Sequence, residues 1–274
     1  MKTWPVAAES PPNIDPRANP SWDPASYLTF GDQRLRPALD LIGRIPAIEA
    51  AAIADLGCGP GNITPHLRNR WPAARILGID NSAEMLEEAR TALPDGIWAQ
   101  GDIAGWQADG PLDLVFSNAA LHWLEDHAGL FPRFLGQLRS GGVLAVQMPD
   151  TGRGLWREIL RDLAKEAPWK AELKDLAGRG NVLPMADYQR LLSRDAQDLD
   201  IWQTRYLHVL DGEDPVFAWT RGAGLRPFLD RLQGDRQESF CDAYRARLRE
   251  AYPPEPDGRV LFPFERLFVV AVKL

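Results

Sequence analysis

The chain of 274 residues is long enough for one large domain, or for one domain that carries an inserted subdomain. Its 45% hydrophobic and 25% charged residues are ordinary for a soluble globular protein, and a formal net charge of -7 argues against a general attraction to nucleic acid or to an anionic membrane. Two cysteines and four histidines give neither a disulfide framework nor metal-ligand spacing, and no apolar run suits a membrane span or a secretory signal, so we expect a cytoplasmic protein without a metal.

The first predicted elements are an arm and a helix. Residues 1–21 carry five prolines, which favours a flexible and extended arm. Order is expected to begin near Trp22–Phe30. A helix is predicted from about Gln33 to Arg44, because Leu35, Leu39 and Ile42 recur on one face.

The next stretch alternates between strand and helix, which is typical of a parallel sheet with helices on both faces. Strands are predicted over residues 51–56, 75–80, 97–101, 112–117 and 143–148, with helices over 63–70, 82–92 and 126–138. Beyond Pro149 the pattern predicts helices over 152–195 and 214–251, and strands over 200–209 and 264–273. We therefore predict an α/β fold with a seven-stranded, doubly wound, Rossmann-like sheet and a helical cap.

The most informative motif is D-L-G-C-G-P-G-N (Asp55–Asn62), which joins an apolar strand to a helix. Gly57, Gly59 and Gly61 let the backbone approach a ligand closely, because glycine has no Cβ and adopts positive φ. The next predicted strand ends at Asp80, where a carboxylate can hold both hydroxyls of a ribose. This layout resembles the S-adenosylmethionine (SAM) site of class I methyltransferases. A dinucleotide site is less well matched, because Pro60 and Asn62 replace the G-x-x-G continuation that leaves a helix N-terminus open to a pyrophosphate.

Further cofactor contacts are predicted where the later strands end. Asp102 can accept a hydrogen bond from the adenine amine, with Ile103 against the ring; the alternative for Asp102 is a turn cap. Asp55 can contact the methionine amino group or only hold the loop. The segment from Asn118 to Trp123 is expected beside the methionine arm and the transferable methyl. The predicted cofactor set also includes Cys58, Asn62 and Asn81.

Several stretches resemble the family of trans-aconitate 2-methyltransferases. They are W-D-P-A-S-Y-L-T-F (Trp22–Phe30), R-L-R-P-A-L-D-L (Arg34–Leu41), the glycine turn, R-W-P-A-A-R-I-L-G-I-D (Arg70–Asp80), L-A-V-Q-M-P-D (Leu144–Asp150) and G-L-R-P (Gly224–Pro227). Family members use SAM to make a monomethyl ester of trans-aconitate. The arm before Trp22 is an extension relative to the family, and His122 stands where many members have glutamine.

The resemblance implies methyl transfer to a carboxylate of a small polycarboxylate, with residues that position the reactants and none that acts as a base. A polyanion needs cationic partners, for which arginine is best suited. The substrate residues that it implies are Trp22, Tyr27, Arg34, His122, Trp123, Gln147 and Arg226, with Arg36, Arg205 and Arg221 as weaker candidates.

The resemblance also divides the chain, and it leaves two alternatives open. The lid and SAM-binding core would span residues 22–150, a helical cap insertion 151–195, and the remaining strands 196–274, with a second cap insertion at about 210–258. The protein would be a monomer or a weak homo-oligomer that binds neither nucleic acid nor membrane. The alternatives are a methyltransferase of the same fold that acts on another acid or nucleophile, and a SAM-binding module without catalysis.

Overall fold

A computed structural model describes residues 31–150, 152–178, 180–221 and 224–274. The chain forms two compact units. The first contains residues up to Met148 together with Leu183–Trp202 and Phe268–Leu274, and the second contains Pro149–Val182 and Gln203–Leu267. Trp22 and Tyr27 lie outside the described residues, as does the predicted arm.

Seven strands form one sheet in the order β3-β2-β1-β4-β5-β7-β6, so the predicted seven-stranded sheet is confirmed. The strands are β1 (Ala52–Leu56), β2 (Arg75–Asp80), β3 (Ile97–Gln100), β4 (Leu112–Asn118), β5 (Leu138–Pro149), β6 (Ala196–Leu210) and β7 (Val260–Lys273). Strands β1 to β5 pair in parallel, with Ala54 opposite both Leu77 and Val115. The strand order reverses between β1 and β4, and ligands of such sheets bind at the carboxyl ends of the strands beside that reversal.

Helices of the first unit follow the predicted alternation. They are α1 (Gly31–Arg44), α2 (Thr64–Arg70), α3 (Ala83–Ala92), α4 (His127–Gly136) and, later in the chain, α7 (Met185–Leu192), with a short 3-10 helix at Leu121–Trp123. Side-chain N-caps define where two of these helices begin. The Ser82 side chain accepts a hydrogen bond from the Met85 amide at α3, and the Asp126 side chain accepts one from the Gly129 amide at α4.

The central strands lie in an apolar core. Residues Leu114, Val115 and Phe116 of β4 have no exposed surface, as expected for a strand covered on both faces. Gly78 of β2 stands opposite Trp98 of β3, and a Cβ on Gly78 would come within 2.4 Å of the Trp98 ring. The Trp98 indole therefore packs in the space that a side chain at position 78 would occupy.

Strand β5 begins earlier than predicted. The pair Gly141-Gly142 was expected to end a helix before a strand at residue 143, but α4 ends at Gly136 and β5 already starts at Leu138. Gly141 takes a φ of 74°, and the β4–β5 register shifts between Leu112 and Leu114. The two glycines therefore lie within β5, where they allow an irregular stretch of the strand. Strands β6 and β7 likewise begin before the predicted residues 200 and 264.

The second unit contains α5 (Leu155–Leu163), α6 (Lys170–Leu173), α8 (Pro215–Arg221), α9 (Arg226–Leu229) and α10 (Asp235–Ala251), with a 3-10 turn at Lys174–Ala177. Its core is rich in aromatic side chains. The Trp219 ring lies 6.0 Å from Phe262 and 5.7 Å from Phe264 between ring centroids, and all three side chains are buried. Within the described ranges, no helix is long and apolar enough to cross a membrane.

Candidate active site

The glycine turn after β1 uses its three glycines in different ways. Gly57, Gly59 and Gly61 take φ values of 71°, 55° and 74°, in the left-handed region that favours glycine. A Cβ on Gly57 would lie 2.2 Å from the Ala120 Cβ, and one on Gly61 would lie 2.9 Å from the Ala89 Cβ. A Cβ on Gly59 would meet no atom of the described residues within 4 Å. The turn thus packs against protein at its two ends and leaves open space at its centre.

Asp80 fastens the end of β2 to this turn. One carboxylate oxygen accepts the Gly59 amide hydrogen at 2.9 Å, and the other accepts that of Ser82 at 3.0 Å. Burial raises the pKa of Asp80, while its hydrogen bonds from backbone amides act in the opposite direction. Each oxygen has a further lone pair for a ligand hydroxyl.

Asp55 lies under the turn and is only 2% exposed. Its carboxylate accepts a hydrogen bond from the Thr64 hydroxyl at 2.8 Å, which connects the end of β1 to the start of α2. Burial, reinforced by the charge of Asp80, raises its pKa to about 7 in spite of that hydrogen bond. Burial and the same two carboxylates also raise the pKa of the Cys58 thiol, which therefore stays protonated and unreactive.

At the end of β3, Asp102 acts as a turn cap, which was the alternative prediction for this residue. This side chain is exposed, and its carboxylate accepts the Ala104 amide hydrogen at 2.8 Å, so it caps the turn that follows. The Arg133 guanidinium of α4 donates to the Ala104 carbonyl and fixes the same turn from the other side. Ile103 lies in the turn, with its Cδ1 3.8 Å from the Cβ position of Gly57. The turns after β1 and β3 therefore meet.

The end of β4 presents a polar group to this region. Asn118 stands opposite Gln147 of β5, and the Asn118 side-chain oxygen is buried without a hydrogen-bond partner in the described part of the chain. Ala119 follows with a φ of 53°, which is uncommon for a residue with a Cβ. A buried acceptor next to a strained residue, at the strand end where the sheet order reverses, is typical of a ligand site.

The 3-10 helix after β4 carries two predicted site residues. His122 is 7% exposed and Trp123 is 37% exposed, and their ring centroids lie 4.6 Å apart. A groove of about 560 Å³ borders Trp123, Ala104 and Arg133. It therefore joins the turn after β3 to the start of α4, and an apolar ring can enter it there.

Sequence reasoning missed the contacts that hold this 3-10 helix in place. His127, at the start of α4 and 1% exposed, donates from Nε2 to the Leu121 carbonyl at 2.9 Å, which makes Nδ1 of the neutral ring an acceptor. Nδ1 lies 2.5 Å from the Tyr188 hydroxyl of α7, which in turn accepts the Leu183 amide hydrogen at 3.1 Å. Burial lowers the pKa of His127 and so favours the neutral ring. The sequence offered one signal for these contacts, a histidine next to the Asp126 cap. It could not identify Tyr188 as the partner, because Tyr188 lies far along the chain.

The structure assembles only part of the predicted substrate set. Gln147 is fully buried in β5 of the first unit, whereas Arg226 begins α9 in the second unit and is half-buried. Arg34 lies in α1, but its side chain is outside the described part of the structure. The weaker candidate Arg205 donates to Glu265 at 2.6 and 2.9 Å, and that ion pair already occupies its guanidinium.

Two remaining cofactor candidates lie at the edge of this region. Asn62 follows the turn and is half-buried, and Asn81 is exposed, with its carbonyl accepting a hydrogen bond from Gln100 at 3.0 Å. Among the described residues, no group of three or more histidine, cysteine or acidic side chains is placed to hold a metal ion.

Comparison with known proteins gives one domain family and a set of close relatives. Residues 53–142 match the methyltransferase domain. A trans-aconitate 2-methyltransferase of Azoarcus sp. (strain BH72) is 47% identical over 257 residues, which is 93% of this chain and 100% of that protein. Proteins of the same description from Methylobacterium nodulans and Escherichia coli O157:H7 are 47% and 44% identical, each over 91% of this chain and 97% of their own length.

Solved structures support the fold. Phosphoethanolamine N-methyltransferase 2 of Haemonchus contortus, in complex with S-adenosyl-L-methionine, has a TM-score of 0.52 at 17% identity and covers 87% of this chain and 52% of that one. The YcgJ protein of Bacillus subtilis has a TM-score of 0.57 at 14% identity and covers 87% and 98%. At these identities the likeness concerns the arrangement of the sheet and its helices.

Proposed function

The chain belongs to the trans-aconitate 2-methyltransferase family, and we propose that it transfers the methyl group of SAM to one carboxylate of trans-aconitate. The products are a monomethyl ester and S-adenosylhomocysteine. The observation that carries the proposal is the open, left-handed Gly59, held by Asp80, in a chain that matches these relatives over almost their whole length.

The residues present fit SAM. The space at Gly59 would admit a ligand against the backbone, and the free lone pairs of Asp80 suit the two ribose hydroxyls. Asp55 would hold the cationic amino-acid end, and the unpartnered oxygen of Asn118 supplies a further acceptor. Asp102 and Ile103, beside the groove at Trp123, would receive the adenine. Gly57, Cys58, Asn62 and Asn81 complete the predicted cofactor set.

SAM supplies an electrophilic methyl group on a sulfonium. The chain has no need of a catalytic base, because a carboxylic acid with a pKa of roughly 4 is already ionised at neutral pH. Its residues act by orientation, which contributes on the order of 7–11 kcal/mol when two reactants are held in line. Buried side chains such as Gln147 and His122 also keep water from the attacking oxygen, which lowers the cost of its desolvation.

The substrate contacts are part of this proposal. His122, Trp123 and Gln147 would line the reacting end, while Trp22, Tyr27, Arg34 and Arg226 would enclose and neutralise the remaining groups. We further propose that the protein works in the cytoplasm as a monomer or a weak homo-oligomer, without binding nucleic acid. Its acidic net charge supports the last point.

The test is an incubation of the purified protein with methyl-labelled SAM and trans-aconitate, with cis-aconitate, citrate and a fatty acid in parallel. Mass spectrometry should show a methyl ester that forms far more efficiently on trans-aconitate than on the other acids. An ester on another acid alone would assign a different substrate. SAM binding without any ester would indicate a binding module.

A further inference from the structure

Most of the described arginines of the second unit form ion pairs, and two arginines of α5 contrast with them. At least eight form ion pairs with carboxylates of the same unit: Arg153, Arg205, Arg231, Arg236, Arg245, Arg247, Arg249 and Arg259. Arg157 and Arg161 of α5 have no carboxylate partner among the residues that the structure describes.

Arg157 and Arg161 also lack strong neutral partners. One Arg157 nitrogen lies 3.5 Å from the Gly224 carbonyl oxygen and one Arg161 nitrogen lies 3.5 Å from that of Gly152, both at the limit of a hydrogen bond. The Arg157 Nε is buried, and no described residue accepts a hydrogen bond from it. Each guanidinium carries five N–H donors, so most of the donor capacity of this pair remains for a ligand.

The surroundings of Arg157 make an anion favourable. The Phe228 ring covers the guanidinium at 5.4 Å from its centroid. Burial and the charge of Arg161, one helical turn away, lower the pKa of Arg157. Two like charges at this spacing destabilise a helix, and a half-buried cation without a counter-ion costs more. Arg221, by contrast, is exposed.

We propose that Arg157 and Arg161 form a carboxylate-binding site, and that its ligand is a substrate carboxylate that does not receive the methyl group. This identification of the ligand rests on the proposed function. A planar guanidinium matches the two oxygens of a carboxylate, and the pair provides two positive charges for a polyanion. The Gly224 contact places the site beside G-L-R-P, the stretch that carries Arg226, one of the substrate residues that the family resemblance implies.

The first experiment compares Arg157→Met, which keeps the apolar stem and removes the charge, with Arg231→Met, which removes an exposed arginine that pairs with Asp175. We expect Arg157→Met to raise the KM for trans-aconitate about ten- to hundredfold, while the KM for SAM stays within about twofold. Arg231→Met should leave both values unchanged. Arg157→Lys should recover part of the loss, because it restores the charge without the fork.

A selectivity measurement separates ligand contact from damage to the fold. The preference of the wild-type protein for trans-aconitate over a monocarboxylate such as crotonate should shrink in Arg157→Met, since the lost group binds a carboxylate that crotonate lacks. Equal losses on both acids, or equal rises in both KM values, would overturn the proposal. If Arg157→Met does not fold, Arg161→Met is measured in the same way.

A binding measurement distinguishes failure of the proposed methyl transfer from failure of the proposed carboxylate-binding site. Calorimetry would titrate tricarballylate, an unreactive tricarboxylate, into wild-type and Arg157→Met protein saturated with S-adenosylhomocysteine. If the wild-type protein makes no ester but binds tricarballylate, and the variant binds it at least about tenfold more weakly, the proposed reaction fails and the carboxylate site stands. If the wild-type protein binds no tricarboxylate, the site is overturned.

Discussion

At the scale of single residues, the glycine turn shows how one residue type meets three requirements. Gly57 and Gly61 are needed because neighbouring protein atoms occupy the place of a side chain. Gly59 faces open space, so packing does not explain it, and its left-handed backbone aims the amide at Asp80. We therefore propose that Gly59, which of the three has the fewest neighbours among the described residues, is the glycine that lies against the ligand.

Gly59→Ala should weaken the binding of S-adenosylhomocysteine at least about tenfold, because the new methyl group enters the space proposed for the ligand. The matched control is Gly258→Ala, at a left-handed turn glycine with a φ of 84° and likewise no atom within 4 Å of its Cβ position. Both variants should lose about 1 kcal/mol of stability from backbone strain. Calorimetry that shows equal affinities in the two variants would contradict the ligand role of Gly59.

Asp55 makes the ligand-free protein sensitive to pH. Its folded-state pKa of about 7 lies above the ordinary 3.8, so the folded state holds a proton that the unfolded state has already released. This contribution to stability is present at low pH and is lost as the pH rises through 7. From about pH 5 to about pH 8, the wild-type protein should lose about 2–3 kcal/mol relative to Asp55→Asn.

Urea unfolding at several pH values measures this difference. Asp102→Asn is the control, because it removes an exposed acid that caps the turn after β3. Parallel stability curves for the wild-type protein and Asp55→Asn would show that Asp55 does not hold a proton in the folded state.

At the scale of elements, α4 and α7 hold the short helix that carries His122 and Trp123. His127 and Tyr188 connect the Leu121 carbonyl to the Leu183 amide through three hydrogen bonds. The two bonds of His127 are buried, and the bond from the Leu183 amide is half-buried. The loss of one hydroxyl would leave an acceptor and a donor unsatisfied together. The segment after β4 therefore depends on a helix that lies about sixty residues further along the chain.

Tyr188→Phe should cost about 2–3 kcal/mol of unfolding free energy, since each buried group left unsatisfied costs about 1–3 kcal/mol. Tyr252→Phe is the comparison, because the Tyr252 hydroxyl accepts one amide hydrogen, from Trp156 at 3.0 Å, and its loss should cost about half as much. Urea unfolding gives both values. A Tyr188→Phe protein as stable as Tyr252→Phe would mean that His127 keeps its position unaided.

The glycine turn and the arginines differed in how far the sequence predicted their contacts. The glycine turn and Asp80 lie within one strand–helix–strand stretch, so their spacing alone predicted that they belong to one cofactor site. The hydrogen bond from the Gly59 amide to Asp80 was not predicted and emerged from the structure. Arginine roles depend on partners far along the chain. Arg205 looked available until the fold placed it against Glu265, and Arg157 gave no signal because its distinguishing feature is the lack of a partner among the described residues. Local motifs were therefore predictable, whereas long-range ion pairing was not.

At the scale of the whole molecule, a net charge of -7 must be reconciled with a polyanionic substrate. Long-range repulsion works against binding, and salt screens it over about 10 Å. Favourable charge must then be local, and the uncompensated arginines of α5 provide it in a unit whose other arginines are largely neutralised. SAM does not share this conflict, because its sulfonium is positively charged and the negative net charge of the chain attracts it.

Cofactor binding should therefore stabilise the protein in a way that depends on Asp80. A ligand that binds only the folded state at about a hundred times its Kd adds about 2.7 kcal/mol, which for a chain of this size raises Tm by about 5–10 °C. Asp80→Asn should lose most of this shift, because its amide group would face the backbone donors of Gly59 or Ser82 instead of accepting from both. Asp257→Asn removes a carboxylate that pairs with Arg259 in an exposed loop and should keep the full shift. If thermal unfolding with S-adenosylhomocysteine gives the same rise in all three proteins, the ligand does not use the end of β2, and the turn would have to hold it without Asp80.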